Sequence, residues 1–216
     1  MKILNVKKVT ADSLASNEFL ESIPEVYSLR NTIENNSWHI KHNLFDHTVR
    51  VLKNLDRILS LKSIDNHIKE VVRKSINNKI DKHSRKDLLR ITAILHDIGK
   101  PISLTEDSSG ITYCTAHEVI GASLISNFSK RFLLSKCEES YVKRLVEYHS
   151  LIIDIQTQII AKGKKNYYFN IYNDLIGNLR LELLLLHYAD LMASDPDKTN
   201  PEEFRLRKRL TMECFG

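Results

Sequence analysis

Apolar residues recur at intervals of three and four along most of this chain, while helix-breaking residues are scarce. Its 216 residues include six glycines and four prolines, and no strong strand pattern is present. An amphipathic helix must bury its apolar face against another element, so a series of such helices predicts an all-α helical bundle. Hydrophobic types make up 42% of the chain, which is enough for one substantial core, and we expect a single domain.

The helical spacing also gives approximate bounds for the elements. One apolar face runs over 44–59, and a second lies between Ile64 and Ile76. Ser84, followed three residues later by Asp87, is a capping-box start for the helix that leads to residue 96. Further helices are predicted at 117–132, 138–149, 166–176, 180–194 and 201–213, with a loop or small hairpin at 103–114 and an exposed turn at 162–165.

The pattern predicts three segments and no membrane partner. The segments are an N-terminal extension packed on the domain (1–23), the main helical domain (24–195) and a C-terminal helix (196–216). The longest apolar runs, such as 183–186, are far short of the roughly 18 residues that span a membrane, and 1–11 lacks the apolar core of a secretory signal. We therefore expect a cytoplasmic protein.

Cysteine content and charge add weaker constraints. The three cysteines, Cys114, Cys137 and Cys214, are widely spaced and form no CxxC pair, so reduced thiols are expected rather than a disulfide framework. The formal net charge of +5 favours anionic partners, although charge alone does not define a chemistry.

The stretch ILHDIGKP, residues 94 to 101, places two polar side chains at the end of an apolar helix. His96 and Asp97 are adjacent, so their side chains point about 100° apart around the helix axis. One helix end can therefore offer an imidazole nitrogen and a carboxylate to one site, and a carboxylate can bridge two ions. A histidine in a last turn is also favoured by the helix dipole, and an aspartate there can cap or pair, so the dipeptide leaves both explanations open.

Further candidate ligands lie on or beside four other predicted helices, and they are His47, His117, His149 and Asp190. Taken singly, a histidine beside an apolar face is more often a core or surface residue than a ligand. Together with His96 and Asp97 they form an ordered set from five helices. A helical bundle can bring such side chains to one point.

This ordered set, H…HD…H…H…D, resembles the HD superfamily of metal-dependent phosphohydrolases over about residues 24–195. The stretches IPEVYSLR, FDHTVRVL, ILHDIGKP and HEVIGAS look most similar to the HD domain of bacterial tRNA nucleotidyltransferases and related poly(A) polymerases. No glycine here is followed by serine, so the Gly-Ser signature of the nucleotidyltransferase head cannot be assembled, and nucleotide addition is not expected. The resemblance implies a single HD-domain helical bundle.

The resemblance further implies a site for one or two divalent transition-metal ions (Mn, Fe, Ni, Co or Zn, with Mg also compatible). The implied ligands form two groups that share a carboxylate: His47, His96 and Asp190 for one ion, His117 and His149 for the other, and Asp97 as the bridge. Such ions lower the pKa of bound water from about 15.7 to about 7, which makes a metal-bound hydroxide available. The expected function is a phosphodiesterase or phosphatase that acts on a nucleotide or on a cyclic or terminal phosphate of nucleic acid.

Two basic residues are candidates for substrate binding. Lys100 completes the string HDIGK, which resembles HD phosphodiesterases that cleave cyclic dinucleotides and whose lysine contacts the phosphate. The resemblance thus gives Lys100 a catalytic role beside Asp97, although EYHSLII replaces the Gly-Tyr-Pro element of those enzymes and cyclic-dinucleotide specificity is not expected. Arg50, one turn after His47, is a second candidate for the phosphate. A solvated helix cation is the alternative for both basic residues.

Four neighbouring aromatic residues receive weaker expectations. His39 and His42 precede the first ligand helix and are candidates for the cleft wall, and Trp38 is a candidate for stacking on a base, with core packing as its alternative. His187 lies three residues before Asp190, which makes it either a supporting residue of the site or a core or surface histidine.

Two other classes of function remain open. The same ligand set can hold two irons in an HD-family oxygenase, or one metal that stabilises a non-catalytic module binding a nucleotide or RNA. Lys100 argues against the oxygenase, and two complete ion sets argue against a purely structural site. The expected partner is a phosphorylated small molecule or nucleotide, and the likeness to tRNA enzymes makes RNA a further candidate. Basic residues cluster at 73–74, 162–165 and 205–209, and solvated faces are the alternative explanation of these clusters. The sequence does not fix the oligomeric state.

Overall fold

The computed structural model describes residues 3–61 and 66–215, without the side chains of 66 and 67. Within these residues helices carry the fold, so the all-α prediction is confirmed. The first helices are α1 (Ala11–Ala15), α2 (Pro24–Ser28), α3 (Leu44–Leu59), α4 (Asn66–Ser75), α5 (Arg85–Leu95), α6 (Lys100–Ser103) and α7 (His117–Leu124). They are followed by α8 (Ser126–Ser129), α9 (Lys136–Tyr148), α10 (Leu151–Lys162), α11 (Lys165–Ile176), α12 (Arg180–Leu191), α13 (Pro196–Thr199) and α14 (Pro201–Cys214).

Two short antiparallel hairpins accompany the helices. Strand β1 (Ile33–Glu34) pairs with β2 (His42–Asn43), and β3 (Leu104–Glu106) pairs with β4 (Thr112–Cys114). The second hairpin confirms the loop or small hairpin predicted at 103–114, whereas the first had no recognisable strand pattern. Both hairpins lie beside the same end of the bundle, because the backbone N–H of Asn35, which directly follows β1, donates to Thr112 Oγ1 of β4 at 2.8 Å.

Several predicted helix bounds are confirmed. The first long helix spans the expected 44–59, and the capping box of α5 is present, since the Asp87 N–H donates to Ser84 Oγ at 3.1 Å. The exposed turn contains Gly163, whose φ of +69° ends α10 in the left-handed conformation. Ile64, which begins the second predicted apolar face, lies outside the described residues.

Two differences from the sequence-based bounds have physical reasons. Helix α10 was not predicted, because its β-branched isoleucines have modest helix propensity; burial of Ile152, Ile155 and Ile159 along one face stabilises it. The helix predicted at 117–132 is divided into α7 and α8, which are separated by the buried Ile125.

Helix α5 is the centre of the bundle. All its residues from Asp87 to Leu95 are buried, and it packs against α3 and α9 and also contacts α12. The surrounding apolar core extends from Leu4 to Phe215 and so includes residues of all three predicted segments, whose boundaries stay a prediction. Because α5 is enclosed by other helices, the residues that follow it enter the interior of the protein. Over the described ranges, no helix combines the length and apolar content that a bilayer crossing requires.

Arg90 of α5 fixes the N-terminal segment to the bundle. Its guanidinium donates to the carbonyl oxygens of Val6 at 2.7 Å and Val9 at 2.8 Å, and it pairs with Asp56 of α3 at 2.7 Å. One buried cation therefore satisfies two backbone acceptors and one carboxylate, and it joins three parts of the chain.

We predict that Arg90→Met lowers the free energy of unfolding by about 2 kcal/mol, because two buried carbonyl groups lose a charged donor. Urea denaturation of the purified protein measures this change. Arg144→Met, which replaces an exposed arginine on α9, is the matched control and should leave stability within about 0.5 kcal/mol of the wild-type value. Equal stability of the two variants would contradict the role of Arg90.

Candidate metal centre

Five helices converge their ends on one point, and they bring together all six ligands implied by the resemblance. His47 lies in the first turn of α3, His96 and Asp97 directly follow α5, His117 begins α7, His149 directly follows α9, and Asp190 lies in the last turn of α12. The possible ligand atoms form two groups, each with its atoms within 4.8 Å of one another: His47, His96 and Asp190, and Asp97, His117 and His149.

The Asp97 carboxylate lies between the two groups. Its Oδ2 is 3.3 Å from His96 Nε2 and 3.7 Å from His47 Nε2. Its Oδ1 faces the other way, 3.5 Å from His117 Nε2 and 3.6 Å from His149 Nε2. Each oxygen thus faces a separate pair of imidazoles, which is the arrangement a carboxylate needs to bridge two cations.

Backbone carbonyl groups orient three of the four imidazoles. In His96, His117 and His149 the Nδ1 atom lies 2.9, 2.8 and 2.7 Å from the carbonyl oxygen three residues earlier. A carbonyl can only accept, so Nδ1 carries the proton and Nε2 is the ring atom presented to Asp97. Nε2 of His117 and Nε2 of His149 are also 3.4 Å apart. In neutral rings these are two acceptors facing each other, and a cation between such atoms would satisfy both.

The electrostatics of the site favour positive charge. Burial lowers the pKa of His96 and His117, but the adjacent Asp97 outweighs it and leaves both pKa values raised. For Asp97, burial acts in the direction of a higher pKa, but the positive charges of His96 and Lys100 outweigh it and hold the pKa well below the ordinary value. For His149 burial dominates and the pKa is lowered. The centre therefore stabilises added cations beside an ionised carboxylate.

The residues present fit divalent transition metals. His96 Nε2 is buried, and although Asp97 Oδ2 lies 3.3 Å away, the geometry between them does not make a hydrogen bond, an arrangement that is costly unless a cation completes it. Imidazole nitrogens with carboxylate oxygens suit Mn, Fe, Co, Ni and Zn, and this donor set does not distinguish among them. His47 Nε2 also lies 2.9 Å from Asp190 Oδ1, so the first group is already assembled.

A cavity of about 670 Å³ opens onto both groups. Asp97, His117, His149 and Asp190 line it. It is large enough for a nucleotide-sized ligand and lies within the range of small-molecule sites.

Lys100 lines this cavity, whereas Arg50 lies elsewhere. Lys100 Nζ is 2.9 Å from Asp97 Oδ2 and 3.0 Å from Glu34 Oε2, and these carboxylates outweigh burial and raise the lysine pKa. The Arg50 guanidinium instead contacts His42 Nδ1 at 2.6 Å. Its role in substrate binding stays a prediction for which the structure provides no contact.

Sequence reasoning missed Glu34, which the structure places in the cavity wall. It lies in a two-residue strand inside the polar stretch NTIENN, and no motif distinguishes it there. Trp38 and His39, which follow it, also line the cavity, whereas His42, the other candidate for the cleft wall, contacts Arg50 and Asp195 instead. Burial lowers the pKa of His39 to about 4, so this imidazole is neutral at pH 7.

Asp195 holds this wall in place, and His187 lies behind the site. The Asp195 carboxylate accepts a hydrogen bond from the Ile40 N–H at 3.1 Å, and the backbone N–H of Asp195 donates to the Trp38 carbonyl at 2.8 Å. His187 is buried, and burial lowers its pKa to about 4. Its position matches the core histidine that the sequence analysis gave as an alternative.

Residues 44–195 match the HD domain family, which is more than half of the chain, and the chain therefore belongs to that family. HD domains are in general metal-dependent phosphohydrolases. The chain is similar to the bifunctional uridylyltransferase/uridylyl-removing enzyme of Vibrio parahaemolyticus, with 30% identity over 171 residues, which are 79% of this chain and 17% of the relative. The corresponding enzyme of Vibrio campbellii is 29% identical over 171 residues, which again are 79% of this chain and 17% of the relative.

The chain thus spans about one sixth of the length of these curated relatives. The names of these enzymes describe uridylyl transfer and removal rather than tRNA nucleotidyl transfer. The finer resemblance to tRNA nucleotidyltransferase domains therefore stays a prediction, while the HD family itself is established.

A glycine permits the close approach that assembles the second ligand group. A Cβ atom on Gly99 would overlap the His117 carbonyl oxygen and would lie 2.5 Å from the Gly121 nitrogen. The turn after α5 therefore lies directly on the backbone of α7, which brings His117 to Asp97.

We predict that Gly99→Ala lowers the free energy of unfolding by about 2 kcal/mol and weakens Mn²⁺ binding at least about tenfold, because α7 must move away from Asp97. Denaturation and calorimetric Mn²⁺ titration measure the two effects. Gly163→Ala is the control, since it strains a left-handed glycine in the turn after α10 and should cost about 1 kcal/mol without weakening the metal site. Unchanged Mn²⁺ affinity in Gly99→Ala would contradict the prediction.

Proposed function

We propose that this chain hydrolyses a phosphodiester that links a nucleotide to a second group, and that it does so with two divalent transition-metal ions. The observation that carries the proposal is the Asp97 carboxylate, whose two oxygens face two separate histidine pairs beside a cavity of about 670 Å³. The names of the relatives support a phosphodiester rather than a monoester, because removing a uridylyl group breaks a bond to a nucleotidyl phosphorus.

In the proposed site each residue group has one task. The ligands would be His47, His96 and Asp190 for the first ion, His117 and His149 for the second, and Asp97 for both. Ions bound there would polarise phosphoryl oxygens and lower the pKa of water, so no protein side chain need act as the general base. Lys100, whose ammonium lines the cavity beside Asp97, would bind a phosphate oxygen and stabilise the negative charge that develops in the transition state.

The cavity wall supports a nucleotide as part of the substrate. The half-buried Trp38 ring lines the cavity, and the Arg207 guanidinium lies 5.1 Å from its centroid and helps to hold it. A fixed indole offers a flat apolar surface on which a base can stack. Thr115 also lines the cavity, and its hydroxyl group can donate to a sugar or phosphate oxygen, whereas the hydroxyl groups of Ser150 and Ser194 donate to Glu118 and to the Asp190 carbonyl.

RNA as a partner stays a prediction from the sequence. In the C-terminal basic cluster, Arg207 is buried; it pairs with Glu203 at 2.7 Å and donates to the Ile153 carbonyl at 3.1 Å. One of the cluster's four cations is therefore committed to packing. This weakens the argument for a continuous basic surface, and the proposal does not depend on one.

We predict that the protein purified without chelators contains about two transition-metal ions per chain. With added Mn²⁺, Co²⁺ or Ni²⁺ it should cleave the p-nitrophenyl ester of a nucleoside 5′-monophosphate faster than p-nitrophenyl phosphate. Elemental analysis and absorbance assays measure the two quantities. Bound iron with oxygen-dependent turnover would favour the oxygenase alternative, and bound metal without any hydrolysis would favour the binding module.

A second prediction concerns the proposed bridge. Asp97→Asn keeps the shape of the side chain but removes the charge shared by the two groups, so hydrolysis should fall at least about 100-fold. Asp174→Asn, at an exposed position of α11, is the matched control and should retain wild-type rates. Circular dichroism verifies that both variants are folded. Wild-type turnover by Asp97→Asn would contradict the assignment.

A further inference from the structure

One buried carboxylate in the cavity wall belongs to neither ligand group. Glu34 is 3% exposed, and its Oε2 lies 3.0 Å from Lys100 Nζ and 3.5 Å from His39 Nε2. It precedes residues 44–195, which match the HD domain family. The acid is therefore supplied to the site by a segment outside the family match.

The backbone of Glu34 is held from two sides. Within the first hairpin it pairs with His42. The next residue, Asn35, donates its N–H to Thr112 Oγ1 at 2.8 Å, and its carbonyl accepts from the Thr112 N–H at 2.9 Å. The carboxylate is thus presented from a fixed position between the two hairpins, and the Cys114 thiol contacts its other oxygen, Oε1, at 3.8 Å.

Lys100 needs such a partner because its ammonium is buried. Only 8% of the residue is exposed, and a buried cation without a counter-charge is strongly disfavoured. Among the described residues Asp97 is the other carboxylate that forms an ion pair with it, but Asp97 also faces four imidazoles, and the more distant Asp190 belongs to the first ligand group. In the proposed site the charge of Asp97 would be shared with two ions, which would themselves repel the ammonium. Glu34 is then the carboxylate left to hold Lys100.

We propose that Glu34 is a positioning residue, which holds the Lys100 ammonium at the cavity wall so that it is directed at the phosphate oxygens of the substrate. This inference rests on the proposed function. Glu34 belongs to neither ligand group, and in this role it acts on the substrate through Lys100. Glu34 and Lys100 thus form an ion pair beside the metal centre, with Glu34 supplied by strand β1 and Lys100 by helix α6.

A double-mutant cycle tests this dependence. The variants are Glu34→Gln, Lys100→Met and the combination of both, each assayed for kcat/KM with the nucleotide ester. We expect Glu34→Gln to lower kcat/KM by about 10-fold to 100-fold, and the double variant to be no worse than Lys100→Met alone. Metal content should stay at the wild-type level in all three. Independent, multiplicative losses, or loss of metal in Glu34→Gln, would overturn the proposal.

Inorganic phosphate provides a readout that does not require turnover. Calorimetric titration of phosphate into the proteins as purified should show about tenfold weaker binding for Glu34→Gln, with Lys100→Met and the double variant equally weak. Equal affinity of wild type and Glu34→Gln, or no phosphate binding by the wild type, would overturn the inference. Coupled phosphate binding without cleavage of any ester would overturn only the proposed function.

Two further variants serve as a control and as a substitute for Glu34→Gln in the double-mutant cycle. Glu106→Gln, which changes an exposed glutamate of β3, is the matched control and should behave as the wild type. Should Glu34→Gln fail to fold, Glu34→Asp retains the charge on a shorter side chain. It should then show a smaller loss that again disappears in the Lys100→Met background, and a loss of equal size in that background would overturn the proposal.

Discussion

The position of the Asp97 carboxylate is the constraint on which the rest of the site depends. Asp97 follows α5, which other helices enclose over most of its length, so a charged group enters the interior with only 2% of its surface exposed. Such a carboxylate needs several cationic or donor partners. Helices α3, α7 and α9 supply imidazoles, and Lys100 supplies an ammonium. The helix ends therefore converge at the place where the buried charge of Asp97 needs partners.

The two explanations of the helix-end histidines, a structural one and a metal-binding one, are compatible in this structure. His96 and His149 each follow the last residue of a helix and donate from Nδ1 to a carbonyl group of its final turn. Those carbonyls lack partners within the helix, so the imidazole completes the helix end. The same hydrogen bond fixes the ring so that Nε2 faces Asp97, which is the orientation that a metal ligand requires.

Much of the fold could be predicted because the apolar spacing marks each helix locally, and capping residues such as Ser84 mark where a helix starts. The ligand set could be predicted because its order along the chain resembles a family. Glu34 could not, since its importance comes only from its contact with Lys100, which is 66 residues away in sequence. Arg50 shows the opposite case: its spacing from His47 suggested the site, but its guanidinium contacts His42 instead. Contacts between distant segments leave no periodic pattern in either segment.

The most direct test of the bridging arrangement is a crystal structure of the Mn²⁺-loaded protein with an anomalous difference map. A bridging Asp97 predicts two peaks about 3.5 to 4 Å apart, on opposite sides of its carboxylate, one beside His47, His96 and Asp190 and the other beside His117 and His149. A single peak that does not contact Asp97, or peaks outside these residues, would contradict it.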